Sequence, residues 1–591
     1  MTANTVYKLK RRKKVGKFNL IDEPWISVMV NDKGETKLVS LQELFDHAED
    51  YKGLAGDNRT QDFAVLRLIL AILHTVFSRL DDQGQAYDCL DLDDRYLPAG
   101  PVEGNHNQRK YGQDLLKTWL SLWEAQEFPT IVQDYLKVWH DRFYLLDDKY
   151  PFYQVKESVI DSSHLHKKRK PTSLSGKTMN RRISESGNKT AMFSPKGDDK
   201  SKEQLNYDEV TRWLITFQGY SGTADKTVFS DDRRDTSLTN AKGWLYDIGG
   251  LYLEGDNLFE TLMLNLILIH PRPEYRFNLE KPSWEQDDQV LVDQYLSGHR
   301  PDNLADLYTN WSRAIHIDEE IDIAKPFQMS IVKLSEIPHQ DNFLETMTLW
   351  RYNNSGPNKD SFTPRKHPVN QSLWRSYGLM NLKDSQGENQ RRPGIMDWYT
   401  GISKRIDKDR VRIVAVTLVD DGNATSWSPV NEVFDRLGVN QALITDLEDQ
   451  GWVEYIYSTV EKTKDVIDRT YRYFLKQVKT IRQLPPKHQF VDQEVSQAYY
   501  EIDRPFRTWL SSIEALENKD MKVIDWQNQL YQLLQNQAQK VVDEAGQRDY
   551  KGLVDDDRVK NIFTAHNYFT HQLKEKLITK EEFNEGQGWY L

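Results

Sequence analysis

Several residues in this chain have the types that catalysis uses, and their spacings decide against most of it. Ser221 follows Gly219 by two residues, as a nucleophile elbow requires, but the matching position 223 is Thr rather than Gly. Lys226-Thr227 ends like a phosphate-binding loop, which would need glycines where Tyr220 and Asp225 stand. His164 and His166 are two apart in a basic stretch. His566 and His571 are five apart, about 140° around a helix, so they do not share a face. Asp231-Asp232-Arg233-Arg234-Asp235 resembles a carboxylate cluster, but its interleaved arginines suit a self-neutralised turn. Asp555-Asp556-Asp557 suits the start of a helix, where carboxylates complement the dipole. No metal set and no cofactor signature emerges. A hydrolase or nuclease built on Ser221 or an acidic turn is the enzymatic alternative, and a non-enzyme is the first reading.

Polyanion binding fits better. Between His164 and Lys196 stand Lys167, Lys168, Arg169, Lys170, Lys177, Arg181, Arg182, Lys189 and Lys196, opposed only by Glu185. The chain as a whole carries net charge -12, so this is a local reversal of sign. The segment is helix-poor and has few apolar residues, which predicts mobility in the free protein. Trp213-Leu214-Ile215-Thr216-Phe217 then reads as a strand, and Gln218 to Thr223 as a tight turn whose backbone can approach a ligand closely. A second basic patch, Lys359, Arg365 and Lys366, is interleaved with Tyr352, Phe362, Trp374 and Tyr377, a mixture that suits nucleic acid. An acidic chain binds nucleic acid through such patches or with basic partners.

The elements that would hold these residues divide in two. With 591 residues, more than one folding unit is expected. Cys89 is the single cysteine, which excludes an internal disulfide and fits a reducing cytoplasm. The most apolar run, Leu258 to Ile269, is too short to span a bilayer and no apolar leader is visible at the N-terminus, so no membrane partner is expected. Residues 1–17 form a basic arm with Lys10-Arg11-Arg12-Lys13-Lys14. Residues 18–430 mix strands and helices. Phe18 to Ile21 and Trp25 to Val30 suggest a hairpin region, Ser40 caps a helix with Glu43 at the capping-box position, and 63–80 is apolar enough for a buried helix. The stretches 114–123 and 131–139 continue helical, 410–419 is a strand, and Asp420-Asp421-Gly422-Asn423 is a hairpin turn. From 431 to 591 four amphipathic segments follow without strand signal. The first, if helical over 446–481, is roughly 54 Å long. Short connections make such helices antiparallel, which predicts a four-helix bundle. The fold class is therefore α+β: a large mixed α/β N-terminal domain followed by an all-α bundle.

The order of several segments carries a resemblance. Phe18-Asn19-Leu20-Ile21-Asp22-Glu23-Pro24-Trp25-Ile26 leads into Ser40-Leu41-Gln42-Glu43-Leu44-Phe45, then Leu66-Arg67-Leu68-Ile69-Leu70-Ala71-Ile72-Leu73-His74, then Tyr150-Pro151-Phe152-Tyr153-Gln154. This series resembles the CasA family, the large subunit of the type I-E CRISPR Cascade complex. The resemblance implies a non-catalytic subunit that recognises the protospacer-adjacent motif (PAM) in double-stranded DNA. It also implies help in opening the duplex and recruitment of a helicase–nuclease, while a guide RNA reads the target. The partners implied are the other Cascade subunits, the guide RNA, the DNA duplex and the helicase–nuclease. The family's glycine loop maps to Gly219-Tyr220-Ser221-Gly222. Its lysine finger maps to Lys359, with Arg365 or Lys366 as alternatives, and its hairpin wedge to Asn423, where some members carry glutamine. The family loop that contacts the guide and a neighbouring subunit resembles the stretch holding Lys189, Met192, Phe193 and Lys196.

Overall fold

The computed structural model describes residues 18–176, 203–223, 225–231, 241–298, 300–384, 389–420, 429–555 and 558–577. Its centre is the Arg59–Phe77 helix. Asn58 accepts a hydrogen bond from the Gln61 amide and starts it, and every residue after Arg59 is buried. Its apolar length would suffice to cross a membrane, but here it is wholly enclosed by protein. Ser40 caps the Leu41–Asp46 helix through the Glu43 amide, as its spacing predicts.

Around the central helix the chain is mixed α+β, and every pairing between its strands is antiparallel. One sheet has the order Pro429–Asn440, Arg410–Asp420, Gly250–Glu254. A second joins Thr172–Ser175, Gln328–Lys333 and Arg313–His316. Trp350–Asn353 and Ser361–Pro364 form a two-stranded ribbon. Near the N-terminus the hairpin is Ile26–Met29 with Thr36–Val39, and Phe18 to Ile21 lies outside it. The long helical segments near the C-terminus are Trp452–Asp465, continuing through a π-turn at Val466–Tyr471 into Arg472–Ile481, then Phe490–Ser511, Lys519–Asp543 and Ile562–Lys576.

Five local expectations are corrected. Residues 213–217 lie inside the Tyr207–Tyr220 helix and are not a strand. Their β-branched and aromatic content is overridden by a capping box in which Asn206 and Glu209 satisfy each other's backbone, and by packing on the central helix. Pro429–Asn440 is a full strand paired along Arg410–Asp420, where the sequence carries no strand signal after 431. The first long helix begins at Trp452 and not at 446. A small hairpin, Leu553–Asp555 with Arg558–Lys560, precedes the last helix, whose cap is Asn561 rather than the aspartates. Finally, 164–175 is built structure. Leu165 is buried and bridges Phe229, and Thr172–Ser175 pairs with Gln328–Lys333. One apolar anchor and a strand partner distant in sequence supply what the local composition lacks. Lys189, Met192, Phe193, Lys196 and Asn423 lie outside the described residues.

Candidate nucleic-acid interface

Three segments singled out in the sequence meet around one short helical turn, Trp244–Asp247. The first is the end of the Tyr207–Tyr220 helix. A Cβ added to Gly219 would lie 2.8 Å from the Leu245 side chain, so the missing side chain there makes room for this turn. Gly243 approaches from the other side. Its own Cβ would sit 2.3 Å from the Gly219 carbonyl oxygen, and its amide donates to the Ser221 carbonyl at 3.0 Å. Replacing Gly243 with alanine should therefore cost about 1–3 kcal/mol by overpacking. It should also speed hydrogen exchange over 218–223. Unchanged stability and exchange would show that the two backbones can part freely.

The turn after the helix is clamped from below. Gln218 Oε1 accepts from the Ser312 and Arg313 amides at 2.9 and 3.0 Å. Arg313 donates to the Gly222 carbonyl at 2.6 Å and binds both Asp225 oxygens, at 2.8 and 2.9 Å. Lys333, also fully buried, stands 3.8 Å from Asp225. Burial and the adjacent Arg313 push its ammonium down to about 8, with Asp225 opposing them. Tyr220 and Ser221 both turn inward. Burial raises the Tyr220 hydroxyl above its usual range, beside Arg67. Ser221 Oγ donates to Ser312 Oγ at 2.8 Å. The Tyr220 and Ser221 side chains thus face the interior, Gly219 is held against Leu245 and Gly243, and the Gly222 carbonyl is taken by Arg313. The serine's hydrogen bond goes to another hydroxyl, and among the described residues no histidine accepts from it.

The second segment is the ribbon of Trp350–Asn353 and Ser361–Pro364. Lys359 lies in its connecting loop, 64 % exposed, with Asp360 at 3.8 Å. Lys366 is committed elsewhere. It pairs with Asp420 at 3.0 Å and Asp247 at 3.7 Å, and lies 4.4 Å over the Tyr246 ring. His367 is buried and donates from Nε2 to the Gly250 carbonyl at 2.8 Å. Burial holds its imidazole down at about 4 and so neutral. The third segment begins at Asp420, the last residue of Arg410–Asp420, so Lys366 ties the ribbon to the base of the hairpin that carries Asn423.

Lys167, Lys168, Arg169 and Lys170 are all exposed, and none makes an ion pair with another described residue. Lys167 and Lys168 both hold left-handed backbone, at φ 56° and 47°. They precede the Thr172–Ser175 strand, which belongs to the sheet that contributes Arg313 and Lys333. The Asp231 to Asp235 turn lies outside the described residues beyond Asp231, and the His164 ring donates to the Val159 carbonyl, at 3.3 Å. Among the described residues, the grouping of ligand-type side chains close enough to share an ion is His47, Glu49 and Asp50, in a surface turn apart from these elements.

Sequence reasoning missed Gln218, Asp225, Arg313, Lys333, Leu245 and Arg351. Only the Asn206 capping box gave a local signal for what surrounds them. Their partners lie up to 110 residues away, as from Thr223 to Lys333.

The family model for CRISPR-associated protein Cse1 matches residues 19–537. A CRISPR-associated protein CasA/Cse1 of Thermus thermophilus is 26% identical over 290 residues, which is 48% of this chain and 45% of that relative, so the match spans less than half of the relative's length. The crystal structure of Thermobifida fusca Cse1 superposes with a TM-score of 0.72 at 23% identity, covering 95% of this chain and 98% of that one. A chain of a CRISPR RNA-guided surveillance complex superposes with a TM-score of 0.63 at 14% identity, covering 94% and 99%. On the family match, which takes in most of the chain, this protein belongs to the CRISPR-associated protein Cse1 family.

Proposed function

We propose that this chain is the PAM-recognising subunit of a type I-E Cascade surveillance complex, acting in the cytoplasm as a binding and scaffolding protein without a catalytic centre of its own. The observation that carries this reading is the convergence of the 219–222 turn, the 359–366 ribbon and the base of the 420–429 hairpin on the Trp244–Asp247 turn. A turn, a ribbon that carries an exposed cation and the base of a hairpin, tied together through Lys366, can present themselves to a groove together. The minor groove offers a degenerate acceptor pattern, which such a set reads coarsely. In this reading the four long C-terminal helices form the four-helix bundle and carry contacts to other Cascade subunits. Lys167 to Lys170 and the stretch holding Lys189, Met192, Phe193 and Lys196 contact the guide RNA or a neighbouring subunit. Asn423 acts as the strand wedge, and the open duplex is handed to a helicase–nuclease.

Lys359 is the groove residue we favour over its two neighbours. Lys366 is neutralised by two carboxylates and Arg365 is half-buried, whereas Lys359 is exposed on a loop. Lys359→Ala should weaken binding of the assembled complex by about 1–3 kcal/mol and reorder its preference among PAM variants, if the contact is to a base edge. The measurement is affinity for duplexes with permuted PAMs at two salt concentrations. Unchanged affinity and ranking, together with a loss in Arg365→Ala or Lys366→Ala, would move the assignment. A wild-type complex indifferent to the PAM would end the reading.

A further inference from the structure

The ribbon that carries Lys359 leads to two arginines that no other described residue neutralises. Arg351 pairs with Thr363 across the ladder. The ladder continues one step beyond the ribbon, because the Arg365 amide donates to the Leu349 carbonyl at 2.8 Å. Thr363 and Arg365 are two apart and so face the same side. Arg351 and Arg365 are thus diagonal neighbours on one face, roughly 7–8 Å apart at their backbones. Asn353 shares that face and donates to Thr363 Oγ1 at 3.1 Å. The other face is apolar: Tyr352 and Phe362 pack edge to face at 5.1 Å, and Arg391 caps Phe362 at 4.7 Å.

Neither arginine makes an ion pair among the described residues, although Lys366 next door has two. Burial, and then Arg351, push the Arg365 guanidinium below its usual range. The backbone of Arg365 is nonetheless fixed. A Cβ on Gly249 would lie 2.0 Å from the Arg365 carbonyl, and His367 bonds Gly250 two residues on. Like charges held together on a rigid ladder, with no anion among the described residues, make a ready seat for an external one. Guanidinium favours phosphate for its fork of donors.

We infer that Arg351 and Arg365 form a clamp on adjacent phosphates of one DNA strand, positioning the duplex beside Lys359 without reading its sequence. This rests on the DNA-binding reading above. Phosphate contacts set register and carry no base information, so the clamp and Lys359 separate by experiment.

The test uses the assembled complex carrying Arg351→Gln, Arg365→Gln, both, or lysine at either position. Affinity is measured for PAM-bearing and PAM-scrambled duplexes across a salt series. Each glutamine should lower the slope of log affinity against log salt by about 1. Equivalently, the fold-loss in affinity should shrink about fourfold per contact between about 50 and about 200 mM salt. The loss should be equal on both duplexes, the PAM ranking should not change, and the lysine variants should keep the wild-type slope. Unchanged slopes in the glutamine variants overturn the clamp. So does an altered PAM ranking, which would mean base contact, or a defect confined to loading of guide RNA. Should Arg365→Gln fail to assemble, Arg351→Gln alone decides, since Arg351 is exposed. A wild-type complex without PAM preference would sink the PAM reading, yet the slopes on either duplex would still judge the clamp.

Discussion

Arg67→Ala should destabilise this protein by about 3–5 kcal/mol, the cost of breaking a buried ion pair from one side. Arg67 meets Glu345 through two hydrogen bonds, at 2.8 and 2.9 Å, with side chains 2% and 0% exposed. The guanidinium also lies 4.0 Å over Tyr308. Burial alone would raise the Glu345 carboxyl, but Arg67, the Trp244 indole at 2.6 Å and the Met347 amide at 2.9 Å together hold it below its usual range. Without Arg67 the carboxylate keeps two donors and loses its counter-ion. Its folded-state pKa should then rise above the unfolded value. The unfolded state then releases its proton first as pH increases, so stability is lost as pH rises past the ordinary carboxylate range. The defect in the variant should be smaller near pH 5 than near pH 8.

The same replacement should reach the interface. Trp244 opens the turn that packs Leu245 against Gly219, so loosening Glu345 should raise hydrogen exchange over 218–223 as well as lower the melting temperature. Arg67→Met with Glu345→Gln should recover part of the loss, because no charge remains buried, although the single amide oxygen can accept from only one of Trp244 and Met347, which now bond different oxygens. A melting temperature unchanged in Arg67→Ala, or a double variant no better than the single, would show that the pair is not what holds this region.

What the sequence made legible was local. The central helix was readable from the apolar density of Leu66 to Leu73, and the C-terminal helices from stripes such as Trp452, Ile456 and Val460, all buried. Ser40 was readable as a cap because its partner is three residues away. The strand Pro429–Asn440 was hidden because charged residues interrupt its alternation, and their partners are remote. Glu432 accepts from the Arg59 and Thr60 amides at the start of the central helix, both at 3.0 Å, and Asp435 pairs with Arg507 at 2.7 Å. The interface was half legible. Its three segments could be picked out, since glycine, exposed lysine and a hairpin turn each leave a mark. Their convergence could not, because Leu245, Asp225 and Arg313 look like ordinary residues until the fold brings them to the 219–222 turn. The uncompensated charge of Arg351 and Arg365 was equally invisible, being a statement about which carboxylates are not nearby.

Those remote links bear on how the C-terminal helices relate to the rest, and Trp526→Ala tests this with a second large effect. Trp526 is fully buried. Its ring meets Phe506 edge-on at 4.8 Å and Trp509 at 5.5 Å, and its indole donates to Thr463 at 2.8 Å, joining the Trp452–Asp465, Phe490–Ser511 and Lys519–Asp543 helices. Truncation leaves a cavity that these helices cannot close together, and about 3–5 kcal/mol should be lost. On its other side Phe506 stacks on Trp374 at 4.2 Å, and the Trp374 indole donates to Asp503 at 2.9 Å. Trp374 comes from the mixed part of the chain, so one phenylalanine serves both cores, and Arg507 beside it bridges to the Asp435 strand. Trp526→Ala and Trp374→Ala should therefore lower the same thermal transition, followed by helical signal and by exchange over 452–543. Two separate transitions, with Trp526→Ala moving only the one at lower temperature, would mean that the helices unfold independently of the sheet. A shift equivalent to less than about 1 kcal/mol in Trp526→Ala, below the usual cost of a large core truncation, would mean that the indole is not the plug its burial implies.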